Sequence, residues 1–349
     1  MPYNIKFKKP WHSAASKLFF RQGFLLKLII NESLSAVGEC APMVEIGTES
    51  LAQAQQFLDD KLPSLLGKPI NLNLLSDMSL FPACRFALET ALLSIIAQHK
   101  KTNIVSLLNI EKSINNETDK KIYINTMLGN LNNDLLSYAQ QAESQGFKCL
   151  KIKVGLNEIK TEAKTLAHLF QHLSPTTLIR LDVNKSWSVK ETEWLLNFLK
   201  PYESKIDSIE EPLKTYDHMA YQELQNETAI PLALDESFSS SSSEPVNSLE
   251  PTNSHEPSNS IDQYPVKQLV LKPMAQGGII NTLHLARQAQ ESKIKTVITS
   301  SIETAYGIWP MVHLCAAINN KQFHGLATSA WLEDTIIEPP EINHGIITL

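Results

Sequence analysis

The chain has 349 residues, which is too long for one small hydrophobic core and suits a barrel-sized domain with a smaller companion. Hydrophobic residues make up 43% and charged residues 19%, as in an ordinary folded protein, so a largely disordered chain is excluded. The formal net charge of −6 argues against a nucleic acid as partner. No stretch has the ~18 consecutive apolar residues of a membrane span, and Met1–Lys9 does not lead into a signal-like segment, so we predict a cytoplasmic protein with no membrane partner.

The first hundred residues mix strand and helix patterns. Loose alternation predicts strands over Gly23–Ile30 and Ala36–Pro42. Apolar residues at helical spacing predict a helix over Ser50–Leu62 and a second, more apolar helix over Arg85–His99. We therefore predict an α+β domain over residues 1–115.

From about residue 120 the pattern changes to short apolar runs, each followed by a helical stretch, which is typical of parallel β/α units. Eight such strands over ~210 residues match a TIM-type (β/α)7β barrel, which we assign to residues 116–332. The predicted strands are Ile122–Met127, Cys149–Val154, Leu178–Val183, Ile206–Ile209, Pro231–Leu234, Gln268–Leu271, Thr296–Thr299 and one near Gly325.

Two segments fall outside this repeat. Residues 238–264 contain a serine run and repeated Glu-Pro and Asn-Ser pairs, which predict a disordered surface insertion. The simplest interpretation is a solvated loop without function, and a regulatory or partner-binding segment is the alternative. Residues 333–349 are predicted to pack back on the N-terminal domain.

Charged residues end several of the predicted barrel strands. In a parallel barrel the carboxyl ends of all strands open on one face, so these side chains should converge although they are far apart in sequence. They are Lys151, Lys153, Asp182, Glu210, Asp235 and Lys272.

Three of these residues are carboxylates on successive strands, at Asp182, Glu210 and Asp235. Such hard oxygen ligands suit an octahedral Mg²⁺ ion and leave positions for water or a substrate carboxylate, and the sequence leaves Mn²⁺ open. For any one of the three, a salt bridge to a neighbouring lysine is the alternative. The set of three flanked by lysines favours a metal site.

Lys151 and Lys153 alternate along one strand, so both should face the barrel mouth. Two cations in one partly desolvated site should lower a lysine pKa and provide a neutral amine that can accept a proton from carbon. Lys272 would approach from the opposite side.

Five short motifs resemble the muconate-lactonizing subgroup of the enolase superfamily. They are LysIleLysValGly (151–155), ArgLeuAspValAsn (180–184), IleGluGluPro (209–212), LeuAspGluSer (234–237) and LeuLysPro (271–273). The resemblance covers most of the chain, and it implies that the N-terminal domain caps the barrel mouth. The interval between Asp235 and Lys272 is about a dozen residues longer than in the subgroup, and the insertion accounts for the surplus.

The resemblance also implies roles for these residues. Asp182, Glu210 and Asp235 would bind Mg²⁺, with Glu210 chosen over Glu211 as the first acidic residue before proline. Lys153 would move the proton, Lys272 would face the intermediate, and Lys151 would tune its neighbour. A lysine base that acts together with Mg²⁺ is a general pattern of sites in this superfamily.

The resemblance further implies substrate contacts. Two loops of the cap would close over the mouth, one around Arg21–Gly23 and one over Pro42–Gly47. Asn184 would lie at the mouth, two positions beyond Asp182. Loops after the seventh and eighth strands would hold a distal substrate group, through Ser300, Ser301, Gly325 and Thr328.

The superfamily's shared step is abstraction of a proton next to a carboxylate, so the resemblance implies an enzyme acting on a small carboxylate. The seventh- and eighth-strand loops resemble those of a hydro-lyase that dehydrates a cyclohexadiene carboxylate. Racemisation of N-acylamino acids or epimerisation of dipeptides is the alternative, although His324–Leu332 lacks the aspartate pair of dipeptide epimerases. A barrel retained as a binding or scaffold protein should have lost a residue of the expected catalytic set. None of that set is missing, and it consists of Lys153, Asp182, Glu210, Asp235 and Lys272. The oligomeric state stays open, a monomer included.

Overall fold

A computed structural model of the protein describes residues 1–12, 17–109, 121–132, 134–238 and 261–349. Most of the predicted disordered insertion, residues 239–260, lies outside the described residues. Its predicted ends belong to the folded part, because Phe238 and Ile261 are buried. The Phe238 ring also packs edge-on against Tyr264, with centroids 5.0 Å apart. The insertion is therefore shorter than predicted, because apolar residues at both ends pack.

The N-terminal domain is an antiparallel sheet, ordered β1-β2-β3, with helices packed against it. Its strands are β1 (Pro2–His12), β2 (Lys17–Asn31) and β3 (Leu34–Cys40), and its helices are α1 (Leu51–Lys61), α2 (Pro82–His99) and α3 (Ile104–Leu108). Ser50 and Gln53 form a capping box for α1, and Pro82 starts α2 three residues before the predicted Arg85.

The sequence reasoning missed β1. Ile5 and Phe7 are buried while their neighbours in the strand are exposed, so the period-two pattern of a half-buried strand was present. The surrounding lysines made the segment look like a polar terminus.

The second domain is the predicted parallel barrel. Seven strands form one sheet in sequence order, with Lys153, Asp182 and Glu210 paired in register across three of them. The barrel strands are β4 (Lys121–Ile124), β5 (Thr126–Asn130), β6 (Cys149–Lys153), β7 (Leu178–Asp182), β8 (Ile206–Glu210), β9 (Leu232–Leu234), β10 (Gln268–Leu271), β11 (Lys295–Ile298) and β12 (Phe323–His324). The predicted fold class is confirmed.

The barrel closes through its first and last strands. The first predicted strand is divided at Asn125 into β4, which pairs with β12, and β5, which pairs with β6. A parallel bridge from Thr299 to Gly325 joins the end of β11 to the end of β12.

Helices follow the strands on the outside of the barrel. They are α4 (Leu135–Ser144), α5 (Ile159–His172), α6 (Val189–Leu199), α7 (His218–Glu227), α8 (Ile279–Glu291) and α9 (Ala305–Ile318). Side-chain caps fix several starts: Ser188 with Glu191 for α6, Asp217 for α7 and Thr304 for α9. Among the described residues no helix combines the length and apolarity needed to cross a bilayer.

The segment after residue 332 behaves differently from the prediction. It meets the N-terminal domain at its start, where Glu333 forms an exposed salt bridge with Lys6 at 3.3 Å. Its end forms β13 (Ile346–Thr348), which pairs antiparallel with β4 of the barrel. The prediction that this tail packs on the cap is therefore wrong for its last residues. They pair with β4 because β6 pairs with β5 and not with β4, so the backbone groups on this edge of β4 need another partner.

Buried charges join the two domains. Arg85 and Glu89 of α2 form an ion pair at 3.2 Å, and Glu89 also accepts a hydrogen bond from the Ile280 amide at the start of α8, at 3.0 Å. On the other side of the cap, Glu39 accepts hydrogen bonds from the amides of Thr304 and Gly307 at the start of α9. Both contacts place a carboxylate at a helix N-terminus, where its charge is favourable.

Candidate active site

The polar strand ends converge at the carboxyl-terminal mouth of the barrel. Lys153, Asp182 and Glu210 are direct neighbours across β6, β7 and β8. Ala233 is the next neighbour on β9, and Asp235, two residues further along, points to the same side of the sheet. Parallel register therefore explains how residues distant in sequence come to share one site.

A lysine lies between two of the three carboxylates. Lys151 Nζ is 2.9 Å from Asp182 Oδ2 and 2.8 Å from Glu210 Oε1. Burial disfavours the ammonium form, but the carboxylates outweigh burial and raise the pKa of Lys151. For Lys151, the predicted lowering of a lysine pKa is wrong, because the partners that dominate are the acids and not the second lysine.

The third carboxylate is held by a second lysine. Lys272 Nζ lies 2.5 Å from Asp235 Oδ2 and 3.2 Å from Glu236 Oε1. Burial opposes ionisation of Glu236, yet the Lys272 ammonium lowers the pKa of that carboxyl to about 2. Sequence reasoning missed Glu236, although its place next to Asp235 at a strand end was a usable signal.

The donor set fits a divalent metal ion. Burial raises the pKa values of Glu210 and Asp235 despite the neighbouring lysines, so these carboxylates lack part of the positive charge that would stabilise their ionised forms. Lysine amines lie among the three carboxylates, whose oxygen atoms do not all come within 4.8 Å of one another. Asp182, Glu210 and Asp235 thus share one mouth without forming a preassembled oxygen cluster.

Two neighbouring residues shape this mouth. Asn184 follows β7 with a left-handed φ of 49° and donates a hydrogen bond to Asp182 Oδ1 at 2.8 Å. Glu211 also has a left-handed φ, 47°, and its carboxylate accepts hydrogen bonds from Asp235 and Ser237. Glu211 is thus engaged with the loop after β9, and the choice of Glu210 as the metal ligand stays a prediction.

The mouth opens into a cavity of about 280 Å³ between the barrel and the cap. Lys153 lies on its wall with its Nζ 5.5 Å from the centre of the Trp11 ring, so β1 covers the lysine. The lining residues from the barrel include Lys151, Lys153, Asp182, Asn184, Lys185, Asp235, Glu236, Lys272, Ser300, Ser301 and Thr328.

The loops after β11 and β12 contribute hydroxyl groups to the cavity. Ser300, Ser301 and Thr328 line it, and the hydroxyls of Ser300 and Thr328 contact each other. Within the described parts of the chain, Ser301 Oγ has no hydrogen-bond partner although it is buried. This group is therefore available to a ligand.

Gly325 is placed differently from the prediction. It lines a smaller space of about 60 Å³ and does not line the main cavity. A Cβ atom there would lie 2.4 Å from Thr299 Oγ1, so the glycine permits the close approach that closes the barrel.

The cap contributes one of its two predicted loops. Met43, Glu45 and Ile46 line the cavity, as expected for the Pro42–Gly47 segment. The segment Arg21–Gly23 is no loop, because it lies inside the long strand β2.

Arg21 does not line the cavity either. Its guanidinium donates hydrogen bonds to the carbonyls of Ala41, Pro42 and Ile302, so it ties the cap to the loop after β11. The guanidinium is therefore directed to backbone carbonyls and not to the cavity for which a substrate contact was predicted. Arg21 is buried, and its guanidinium is therefore satisfied by backbone oxygens.

Residues 134–244 match the family described as Enolase C-terminal domain-like. Curated relatives named o-succinylbenzoate synthase, from Yersinia pseudotuberculosis and Yersinia pestis, are 29% identical over 325 residues, which cover 93% of this chain and 87% of theirs. The resemblance to the enolase superfamily is thereby confirmed. Sequence similarity and the site geometry support an enzyme.

Solved structures of the enolase superfamily share the fold over the whole chain. The L-Ala-D/L-Glu epimerase of Bacillus subtilis aligns with a TM-score of 0.84 at 19% identity, covering all of this chain and 94% of the epimerase. A muconate lactonizing enzyme from Pseudomonas fluorescens aligns at 0.80 and 18% identity, covering 99% and 91%. The dipeptide epimerase of Enterococcus faecalis, solved with Mg and L-Leu-L-Tyr, aligns at 0.83 and 22%, covering 100% and 95%.

Proposed function

We propose that the protein is an o-succinylbenzoate synthase, a hydro-lyase of menaquinone biosynthesis. It would convert 2-succinyl-6-hydroxy-2,4-cyclohexadiene-1-carboxylate to 2-succinylbenzoate by syn-dehydration. The observation that carries the proposal is the similarity to curated synthases along 93% of the chain. The cavity supports it, because Lys153 and Lys272 line one space together with Asp182 and Asp235, while Glu210 lines the adjoining smaller space.

Asp182, Glu210 and Asp235 would hold Mg²⁺, or Mn²⁺ in its place. When bound, the ion would stabilise the negative charge that develops on the substrate carboxylate. Lys151 already contacts Asp182 and Glu210, so it would keep these two acids ionised and in place. Asn184 would fix the Asp182 carboxylate from its other oxygen.

Lys153 would carry the proton. As a neutral amine it would take the proton from the carbon next to the substrate carboxylate, and as an ammonium it would return that proton to the departing hydroxyl, which leaves as water. Trp11 covers this amine and limits the access of bulk water. Lys272, on the strand four positions further round the barrel, would face the intermediate with its positive charge.

The free Ser301 hydroxyl, with Ser300 and Thr328, would accept the succinyl arm, since hydroxyl donors suit a distal carboxylate. The substrate is thus a small dicarboxylate, and the cavity of about 280 Å³ sets its size class.

Racemisation of N-acylamino acids or epimerisation of dipeptides is the second candidate. It is favoured by the placement of Lys153 and Lys272 on the wall of one cavity, which would serve opposed proton transfers. The solved epimerases share the fold, but their low identity carries no information on substrate.

The test is an assay of the purified protein with Mg²⁺. Ultraviolet absorbance would follow the cyclohexadiene substrate, and optical rotation would follow N-succinyl amino acids and dipeptides. We expect dehydration that stops with excess chelator and returns with added Mg²⁺. Absence of dehydration, or full activity in excess chelator, would overturn the proposal, and racemisation alone would favour the second candidate.

A further inference from the structure

Glu211 contacts the loops that follow all three strands bearing the proposed metal ligands. Glu211 itself follows Glu210 at the end of β8. Its backbone oxygen accepts a hydrogen bond of 2.8 Å from the amide of Lys185, which lies in the loop after Asp182. Its amide donates to Ala233 of β9 at 3.0 Å. One residue therefore connects the three carboxyl ends of the mouth.

The side chain of Glu211 holds the loop after β9 through three hydrogen bonds. Glu211 Oε1 accepts hydrogen bonds from the amides of Asp235 at 2.8 Å and Ser237 at 2.7 Å, and Glu211 Oε2 accepts one from Ser237 Oγ at 2.7 Å. The carboxylate is buried, so these bonds act in a region of low dielectric constant and are strong.

The backbone of Glu211 makes this arrangement possible. Successive residues of a strand point to opposite faces, which alone would send the Glu211 side chain toward the helices. The left-handed φ of 47°, uncommon for a side chain of this size, turns it instead toward the loop after β9. Such a conformation costs free energy, and the hydrogen bonds to three neighbouring segments offset that cost.

We propose that Glu211 is a positioning residue that fixes Asp235 for metal binding. Its carboxylate holds the backbone of Asp235 and Ser237, and the packing of Phe238 on Tyr264 holds the next residue of the same loop. The inference rests on the proposed function for its metal, and it assigns Glu211 no contact with the ion.

Two substitutions separate positioning from ligation. Glu211→Ala removes all three side-chain hydrogen bonds. Glu211→Gln keeps the oxygen that accepts from both amides, and its NH₂ group can donate to Ser237 Oγ, so the arrangement survives without the negative charge. If Glu211 were a metal ligand, or acted only through its charge, both variants should lose its effect.

The first measurement is amide hydrogen exchange of the metal-free protein at Asp235 and Ser237. Loss of a hydrogen bond costing on the order of 1.4 kcal/mol corresponds to about tenfold faster exchange, which we expect for Glu211→Ala and not for Glu211→Gln. Unchanged exchange in Glu211→Ala would overturn the proposal, whatever the protein's catalytic activity.

The second measurement is Mn²⁺ affinity, followed by electron paramagnetic resonance of the full chain. We expect Glu211→Ala to bind Mn²⁺ about 10 to 100 times more weakly, Glu211→Gln to bind like the wild type, and Glu210→Gln to lose the site. Equal losses in both Glu211 variants would overturn positioning in favour of ligation. If Glu211→Ala does not fold, Ser237→Ala, which removes the hydrogen bond to Glu211 Oε2, replaces it in the affinity measurement, and wild-type affinity in that variant would count against the proposal. A wild-type protein that binds no Mn²⁺ would refute the metal site, while hydrogen exchange would still decide the role of Glu211.

Discussion

Lys153 and Lys272 line one cavity from strands four positions apart in the barrel, but their surroundings differ. Lys272 has two carboxylates within 3.2 Å. Lys153 lies under the Trp11 ring of the cap, beside the cavity and next to Lys151 in its strand. Lys153 thus lies where the proposed proton transfer would take place, and Lys272, paired with two carboxylates, is suited to act as a fixed positive charge.

Lys153→Ala should abolish dehydration with little effect on stability, since the side chain borders a cavity and contributes little core packing. We expect kcat to fall by roughly 10²–10⁴-fold or more, the usual contribution of a general acid-base group. Steady-state kinetics and thermal unfolding would be measured beside Lys160→Ala, which changes an exposed lysine. Comparable kcat values in the two variants would refute the role given to Lys153.

Glu303 predicts a pH dependence of stability. Burial raises the pKa of its carboxyl to about 7, although Arg21 nearby favours the ionised form. In the unfolded chain this group ionises near pH 4.5, so between pH 4.5 and 7 the folded state holds the extra proton and stability falls as pH rises. The loss should be on the order of 3 kcal/mol across this range, from 1.36 kcal/mol per pKa unit.

Glu303→Gln keeps a hydrogen-bond acceptor for the Ser301 amide without the titration. Its free energy of unfolding, measured in urea from pH 5 to 8, should therefore decline less with pH than that of the wild type. Parallel curves for the two proteins would show that Glu303 does not titrate in this range.

At the scale of elements, the strands of the barrel could be predicted because they are short apolar runs, and because β6 to β10 end in a charged residue or are followed directly by one. Cys149–Lys153 and Leu178–Asp182 agree with their predicted bounds to one residue. The roles of Arg21 and Glu211 could not be predicted, since they depend on contacts over long sequence distances and on a left-handed backbone. Local patterns carry neither kind of information.

The ends of the insertion allow a test of its independence. Phe238 and Tyr264 are in contact, so a short linker can span the positions between them. Replacing residues 240–259 with a Gly/Ser linker should leave kcat/KM for dehydration close to the wild-type value. A large loss of activity or of folding would show that the replaced segment packs on the enzyme.

At the scale of the whole molecule, the cap and the barrel are joined by buried charges as well as by apolar packing. Glu89 is fully buried, and burial raises the pKa of its carboxyl against the opposing effect of Arg85. The same carboxylate serves the first turn of α8 in the other domain. Because of these shared contacts, the cap should unfold together with the barrel.

Glu89→Ala should lower the free energy of unfolding by about 3–5 kcal/mol, because it removes the carboxylate that balances the buried charge of Arg85. The control is Glu333→Ala, which breaks the exposed contact with Lys6 of the cap. It should lower the free energy of unfolding by no more than ~1 kcal/mol. Urea unfolding of both variants gives the comparison. Similar losses would mean that burial does not set the strength of these contacts.

The division of the first barrel strand has a consequence for biosynthesis. Ile124 of β4 pairs with His324 of β12, two hundred residues further along the chain. At translation rates of about 5–20 residues per second, the ribosome needs roughly 10–40 seconds to make that partner available. During this interval β4 lacks its β12 partner, and an unpaired strand edge is prone to aggregation. The nascent chain should therefore depend on chaperones until β12 emerges and closes the ring.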